Sequence, residues 1–219
     1  MVRDYWIPIC VPTRDLWKCE FGKSVCNMVG RCHIDHSAPL QDFRVYTNVS
    51  IASGSGIAEL RNLLVKQAMD YEEMTHILFV DDDQMFPADS IHQLAKHDLP
   101  IVAANIVRKE SNPRTNSKEL NGENPVYTLP TSTGLEEVEF VGTGMMLIKR
   151  EVFEKLEKPY FFYDVEKNVG EDVNFCRKAK EAGYKIYIDH DLSKEVKHVG
   201  HFYWGHEHTN PWRESLNDK

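Results

Sequence analysis

The chain has 219 residues, 42% hydrophobic and 27% charged, enough for one domain with a real core and little room for a second. Its formal net charge of −8 disfavours non-specific nucleic-acid binding as the main activity, because phosphate binding is driven by cationic surface. No apolar run approaches the roughly 20 residues that span a bilayer, and the opening MVRDYWIPICVP is too short and polar for a secretory signal, so a cytoplasmic location is expected.

In chain order, Tyr5–Val11 (YWIPICV) reads as a strand. After Pro12-Thr13-Arg14, the apolar positions Trp17, Phe21, Val25 and Val29 recur every fourth residue, as on a helix face. Phe43–Ile51 is rich in β-branched residues and reads as a second strand, ended by Ser53-Gly54-Ser55-Gly56. Ile57, Leu60, Leu64 and Ala68 mark another amphipathic helix. Ile77–Val80 (ILFV) is short and wholly apolar, as befits a central strand covered on both faces. A helix starting at Pro87 follows, with Ile91 and Leu94 inward, and then an apolar strand at Ile101–Ala104. This alternation predicts an α/β fold, a single Rossmann-like domain over 1–219 with a mostly parallel sheet and helices on both faces.

Residues 108–137 are polar, with Asn, Ser, Pro and Gly, and predict a long, mobile loop or a hairpin excursion. Arg108, Lys109, Arg114 and Lys118 give it a basic cluster, whose simplest reading is a solvated loop. Val138–Val141 and Met145–Ile148 read as strands around Gly142-Thr143-Gly144. Helices at Glu151–Leu156 and Glu171–Ala182 and a strand at Lys185–Ile188 complete the body. The tail from His198 is rich in His, Trp and Tyr and shows little periodicity. The cysteines Cys10, Cys19, Cys26, Cys32 and Cys176 are odd in number and read as reduced thiols, although Cys26, Cys32, His33 and His36 could form a zinc knuckle.

Three features carry chemistry. Asp81-Asp82-Asp83 directly follows the ILFV strand, and ligands of open α/β sheets bind at carboxyl ends of strands. Adjacent carboxylates there repel one another, which a divalent cation relieves; the alternative is a solvated turn with Asp capping the next helix. Gly170-Glu171-Asp172 opens a helix, where the dipole favours acidic residues even without a function. His198, in HVGH, offers an imidazole to complete a metal shell, or a structural histidine among the 10 in the chain.

Together these segments resemble GT-A glycosyltransferases, in particular glycosyltransferase family two and small phage or bacterial enzymes like it. FVDDDQMFPADSI looks like the DxD segment, GEDVNFCRKAKEAGYKIYID like the acidic-pair segment, VGTGMMLIKREVFEKL like the stretch between them, and GIAELRNLLVKQAM like the preceding helix. The ordered set covers roughly residues 5–200. The resemblance implies transfer of a sugar from a nucleotide-sugar donor to an acceptor hydroxyl. It implies a Mn²⁺ or Mg²⁺ held by Asp83, by Asp81 directly or through water, and by His198, neutralising charge on the leaving nucleotide. Asp82 joins the donor-binding set. Asp172 takes the role of base, giving inversion, and Glu171 orients the acceptor or its loop. Pro12, Thr13 and Arg14 mark the nucleobase end, with Arg61 on the helix facing it. Many relatives place an Asp after the second strand to read uracil, where this chain has NVSIASGSG; UDP is the expectation from its frequency in the family. The tail from about residue 198 is expected to fold over the site. Phe161, Phe162, Tyr163, Tyr203, Trp204 and Trp212 are either core or a stacking platform for sugar or base. The acceptor is left open among glycans, proteins and hydroxymethylated DNA bases.

Other readings compete. A nucleotidyltransferase usually opens with a Gly-rich phosphate loop, and the first turn here, VPTRDLW, has no Gly. A hydrolase needs a site from Asp189, Asp191, His190, His198, His201, His206 and His208, whose spacing matches no familiar motif. A non-catalytic sugar-nucleotide-binding module would have little need to keep both DDD and GED.

Overall fold

The computed structural model describes residues 2–35, 42–110, 112–200 and 203–209. Strands β1 (Arg3–Trp6) and β2 (Ile9–Thr13) replace the single first strand expected, because the chain changes sheets at Ile7-Pro8. Pro8 has no N–H to donate to a ladder, and its carbonyl accepts from Leu78 instead. Helix α1 (Cys19–Asp35) follows, then β3 (Phe43–Tyr46) and β4 (Val49–Ser53), split at Thr47-Asn48, where the Thr47 hydroxyl donates to the Ile7 carbonyl at 2.7 Å. The middle of the chain gives α2 (Ile57–Met69), β5 (His76–Val80), β6 (Gln84–Met85), α3 (Ser90–Ala95) and β7 (Ile101–Ala103). Then come β8 (Ser117–Glu119), β9 (Leu135–Val141), β10 (Met145–Lys149) and α4 (Arg150–Lys155). The last elements are α5 (Glu171–Glu181), β11 (Ile186–Asp189), α6 (His190–Glu195), β12 (Lys197–Val199) and β13 (Tyr203–Trp204).

The main sheet has 8 strands in the order β4-β2-β5-β10-β7-β11-β9-β8. Strands β4, β2, β5, β7, β11 and β8 run one way, and β10 and β9 run against them. The sheet is therefore mixed: β10 inserts between β5 and β7, so most neighbours in that half pair antiparallel. Each central strand is apolar on both faces because each face has its own core. Ile77, Phe79, Met146 and Ile148 pack under α2, α4 and α5, beside Leu64, Phe153 and Phe175. Leu78, Val80, Met145 and Leu147 pack on the opposite side under α1, α3 and α6, beside Phe21, Ile91 and Leu192. The period of two along each strand thus sorts residues between two helical layers.

Residues 108–137 are not a free loop. Strand β8 pairs with β9 at the sheet edge, and buried Thr115 and Ser117 hydroxyls both donate to the Val126 carbonyl. Ser117 also bonds the Asn105 side chain at 2.8 Å, which pins the excursion to the end of β7. Beyond the main sheet, β6, β12 and β13 form a small ribbon, with His198 opposite Gln84. Among the described residues, no helix is long and apolar enough to cross a membrane.

Candidate functional site

The aspartates lie at the carboxyl end of β5, in the turn leading to β6. The Asp81 amide donates to the Gly144 carbonyl at 2.9 Å, and the Asp81 carbonyl accepts from Gln84 at 3.3 Å, which closes the turn. A side chain at Gly144 would meet Ile106 at 2.8 Å and Asp81 Oδ2 at 3.1 Å, so this glycine lets the backbone come close to the carboxylate. Pro12, Thr13 and Arg14, at and beyond the end of β2, face Asp81, Asp82, Asp83 and His198 across an open polar cleft of about 610 Å³. The first sequence-derived set therefore converges in space.

Each aspartate has a different partner. The Thr13 hydroxyl donates to Asp82. Burial, set against that bond and reinforced by the charges of Asp83 and Asp81, raises the Asp82 pKa. Arg61, projecting from α2 and only 3% exposed, donates to Asp81 Oδ1 at 2.9 Å and to Glu171 Oε1. One buried guanidinium thus joins the end of β5 to the start of α5. Glu171 is buried as well, so it holds Arg61 rather than facing solvent.

Asp83 meets His198 Nε2 at 3.2 Å and the Lys109 ammonium, which also donates to the Val199 carbonyl at 3.1 Å. Burial pushes the Asp83 carboxyl up, but His198 and Lys109 outweigh it and hold it at about 2. The ribbon fixes this geometry, since the Val199 amide donates to the Asp83 carbonyl at 2.7 Å. His198 Nδ1 lies 2.9 Å from the Val107 carbonyl and must donate to it. Its Nε2 then turns toward a carboxylate oxygen, where a proton or a cation has to sit between them. A carboxylate and an imidazole with its other nitrogen so anchored fit a Mn²⁺ or Mg²⁺ ion. Among the described residues no group of three or more His, Cys, Asp or Glu side chains is gathered for a metal, and Asp81 is turned to Arg61.

Asp172 stands apart. It faces a second polar cleft of about 690 Å³, together with Arg108, Arg114 and Lys118. Burial first, and the neighbouring Glu171 charge second, raise its pKa, against hydrogen bonds from backbone amides and the pull of Arg61. Adjacent positions on a helix diverge by about 100°, which sends Glu171 to Arg61 and Asp172 to the other cleft.

Several alternatives left open by the sequence are narrowed. Phe161 is core: it is 1% exposed and stacks on Phe175 at 4.7 Å, so it offers no sugar platform. Tyr163, by contrast, is exposed, and burial of its hydroxyl and the nearby Glu171 charge push its pKa up to about 12. Cys26 is exposed and Cys32 buried on the same helix, so they do not converge on zinc; His36 lies outside the described residues. Of the hydrolase set, His190, His206 and Asp189 are otherwise engaged. His190 bonds Thr128 and Glu136, His206 bonds the Asn105 carbonyl at 2.7 Å, and Asp189 caps α6 while bonding His97. His201 and Trp212 fall outside the described residues, as does most of the tail expected to cover the site. Lys109 is the residue the sequence reading missed. It sat in a basic cluster read as solvated, and only the packing of 107–109 against β12 turns it into the aspartate turn.

No family model matches the sequence, and no curated protein matches it. Among solved structures, A197 from STIV is 17% identical, with a TM-score of 0.61, covering 90% of this chain and 86% of that one. The two chains share a fold. TarS 1-349 from S. aureus, in complex with UDP-GlcNAc, is 16% identical over 84% of this chain with a TM-score of 0.43. This chain spans only 55% of that TarS chain.

Proposed function

We propose that the chain is a GT-A-type glycosyltransferase, a hexosyltransferase of the cytoplasm, that moves a sugar from a UDP-sugar to an acceptor hydroxyl with inversion. The observation that carries this reading is the cleft between β2 and β5, where Thr13 and Arg14 oppose Asp83 and its anchored partner His198. Asp83 and His198 would hold a Mn²⁺ or Mg²⁺, with Asp81 reaching it through water; bound there, the ion supplies positive charge for the donor diphosphate. Pro12, Thr13 and Arg14 receive the nucleotide, with Asp82 fixed by Thr13 as part of that wall. Arg61 pairs with both Asp81 and Glu171 and holds them in register, so that the donor turn and α5 keep one spacing. Asp172 accepts the proton of the incoming hydroxyl at its carboxylate. Burial and the Glu171 charge raise its pKa, which makes it a better base than an ordinary aspartate.

Calorimetry with UDP and Mn²⁺ tests the reading. The wild-type chain should bind UDP only with the ion, and Asp83→Ala should abolish that metal-dependent binding while keeping its circular dichroism spectrum. Equal affinity in the variant would sink the metal assignment.

A further inference from the structure

The second cleft has a chemical character that the donor reading does not use. Its rim carries Arg108, Arg114 and Lys118 against only Glu123 and Asp172, on a chain whose net charge is −8. The cations are set by the fold rather than scattered along a loop. Thr115 and Ser117 are buried and bonded inward, so alternation along this extended stretch turns Arg114, Asn116 and Lys118 the other way. Arg108 and Arg114 share one carboxylate, Glu110, at 3.7 and 3.2 Å, and are both more than half exposed. Surface pairs of this kind are weak and exchange readily for a stronger anion. Among the described residues, Lys118 has no carboxylate within ion-pairing distance. Two guanidinium forks, an ammonium and the Asn116 amide offer many donors and suit a group with several acceptor oxygens.

We propose that this cleft binds an acceptor carrying a phosphate ester, with the phosphate on Arg108, Arg114 and Lys118 and the reacting hydroxyl toward Asp172. The assignment of an acceptor rests on the transferase reading; the phosphate site rests on the cleft itself. In the transfer, the acceptor oxygen bonds the anomeric carbon as the bond to UDP breaks. The hydroxyl proton goes to Asp172, and the phosphate ester is left unchanged.

The test is an amide NMR titration of ¹⁵N-labelled protein, first with UDP and Mg²⁺ to fill the donor cleft, then with glycerol 2-phosphate, glycerol or glucuronate. Glycerol 2-phosphate should shift Asn116, Lys118 and Gly170 and bind at least tenfold more tightly than either other probe. The R114Q/K118Q double variant should lose about tenfold in that affinity and bind UDP as before. Equal binding of glycerol or glucuronate, an unaffected double variant, or phosphate shifts confined to Thr13 and Asp83 would each overturn the proposal. Shifts produced by UDP with Mg²⁺, recorded before any phosphate probe is added, score the donor reading separately. Their absence removes the transferase assignment, while the phosphate titration still decides the cleft.

Discussion

At Asp83, desolvation and pairing oppose each other, and pairing with His198 and Lys109 wins. A carboxyl held at about 2 stabilises the fold fully above its unfolded value near 3.8 and loses that contribution as pH falls toward 2. Lys109 also sits on the Asp83 oxygen that the proposed divalent ion would take. Lys109→Met should therefore tighten Mn²⁺ binding several-fold in the absence of nucleotide, as read by electron paramagnetic resonance of free Mn²⁺. It should also move acid unfolding, followed by circular dichroism, to higher pH. Unchanged Mn²⁺ affinity would mean that the lysine does not compete for the site. Asp172 has the opposite sign. Burial and Glu171 raise its pKa, so its ionised form costs stability and the loss appears as pH rises through the folded value. A base of this kind gives a rate that falls on acidification through a pKa above the ordinary 3.8. Asp172→Asn should cost on the order of 10²–10⁴ in turnover and abolish that acid limb, with UDP affinity kept. Product NMR from an α-linked donor should show a β-linkage in the wild type; an α-linkage rules out direct displacement assisted by Asp172.

At the scale of elements, α2 places both Arg61 and Asn62. Asn62 Oδ1 accepts from the Tyr160 and Phe161 amides at 2.9 and 3.2 Å, and its amide donates to the Phe161 carbonyl at 2.7 Å. This ties the segment before α5 to the helix that carries the arginine. Asn62→Ala strips partners from three backbone groups and should destabilise the protein by roughly 1–3 kcal/mol. Urea titration would measure it, and an effect below a few tenths of a kcal/mol would show that water replaces the amide. Helix α2 and strand β5 were legible in the sequence, because an apolar stripe and an all-apolar run are local patterns. The ribbon of β6, β12 and β13 was not. Its strands are two or three residues long, too short for any periodicity, and β6 joins β12 only by pairing across more than 100 positions.

Over the whole molecule, the two cores share the strands of one sheet, so a defect on either face weakens the same structure. We propose that the chain unfolds as a single domain. Leu64→Ala on one face should cost about 2–5 kcal/mol and Phe21→Ala on the other about 3–5 kcal/mol. Both variants should shift one urea transition that coincides by tryptophan fluorescence and by circular dichroism. Two separate transitions would divide the chain into independent units. The sequence by itself determined the α/β class, the central strand and the carboxylates at its end, because burial on two faces and a polar strand terminus are written in neighbouring residues. Only the tertiary structure decided the sheet's mixed pairing, the bridge from Arg61 to Asp81 and Glu171, the meeting of His198 and Lys109 at Asp83, and the separation of Asp172 into its own cleft. Those partners lie 20 to 115 positions apart, and what brings them together is strand order and packing, which leave no periodic trace along the chain.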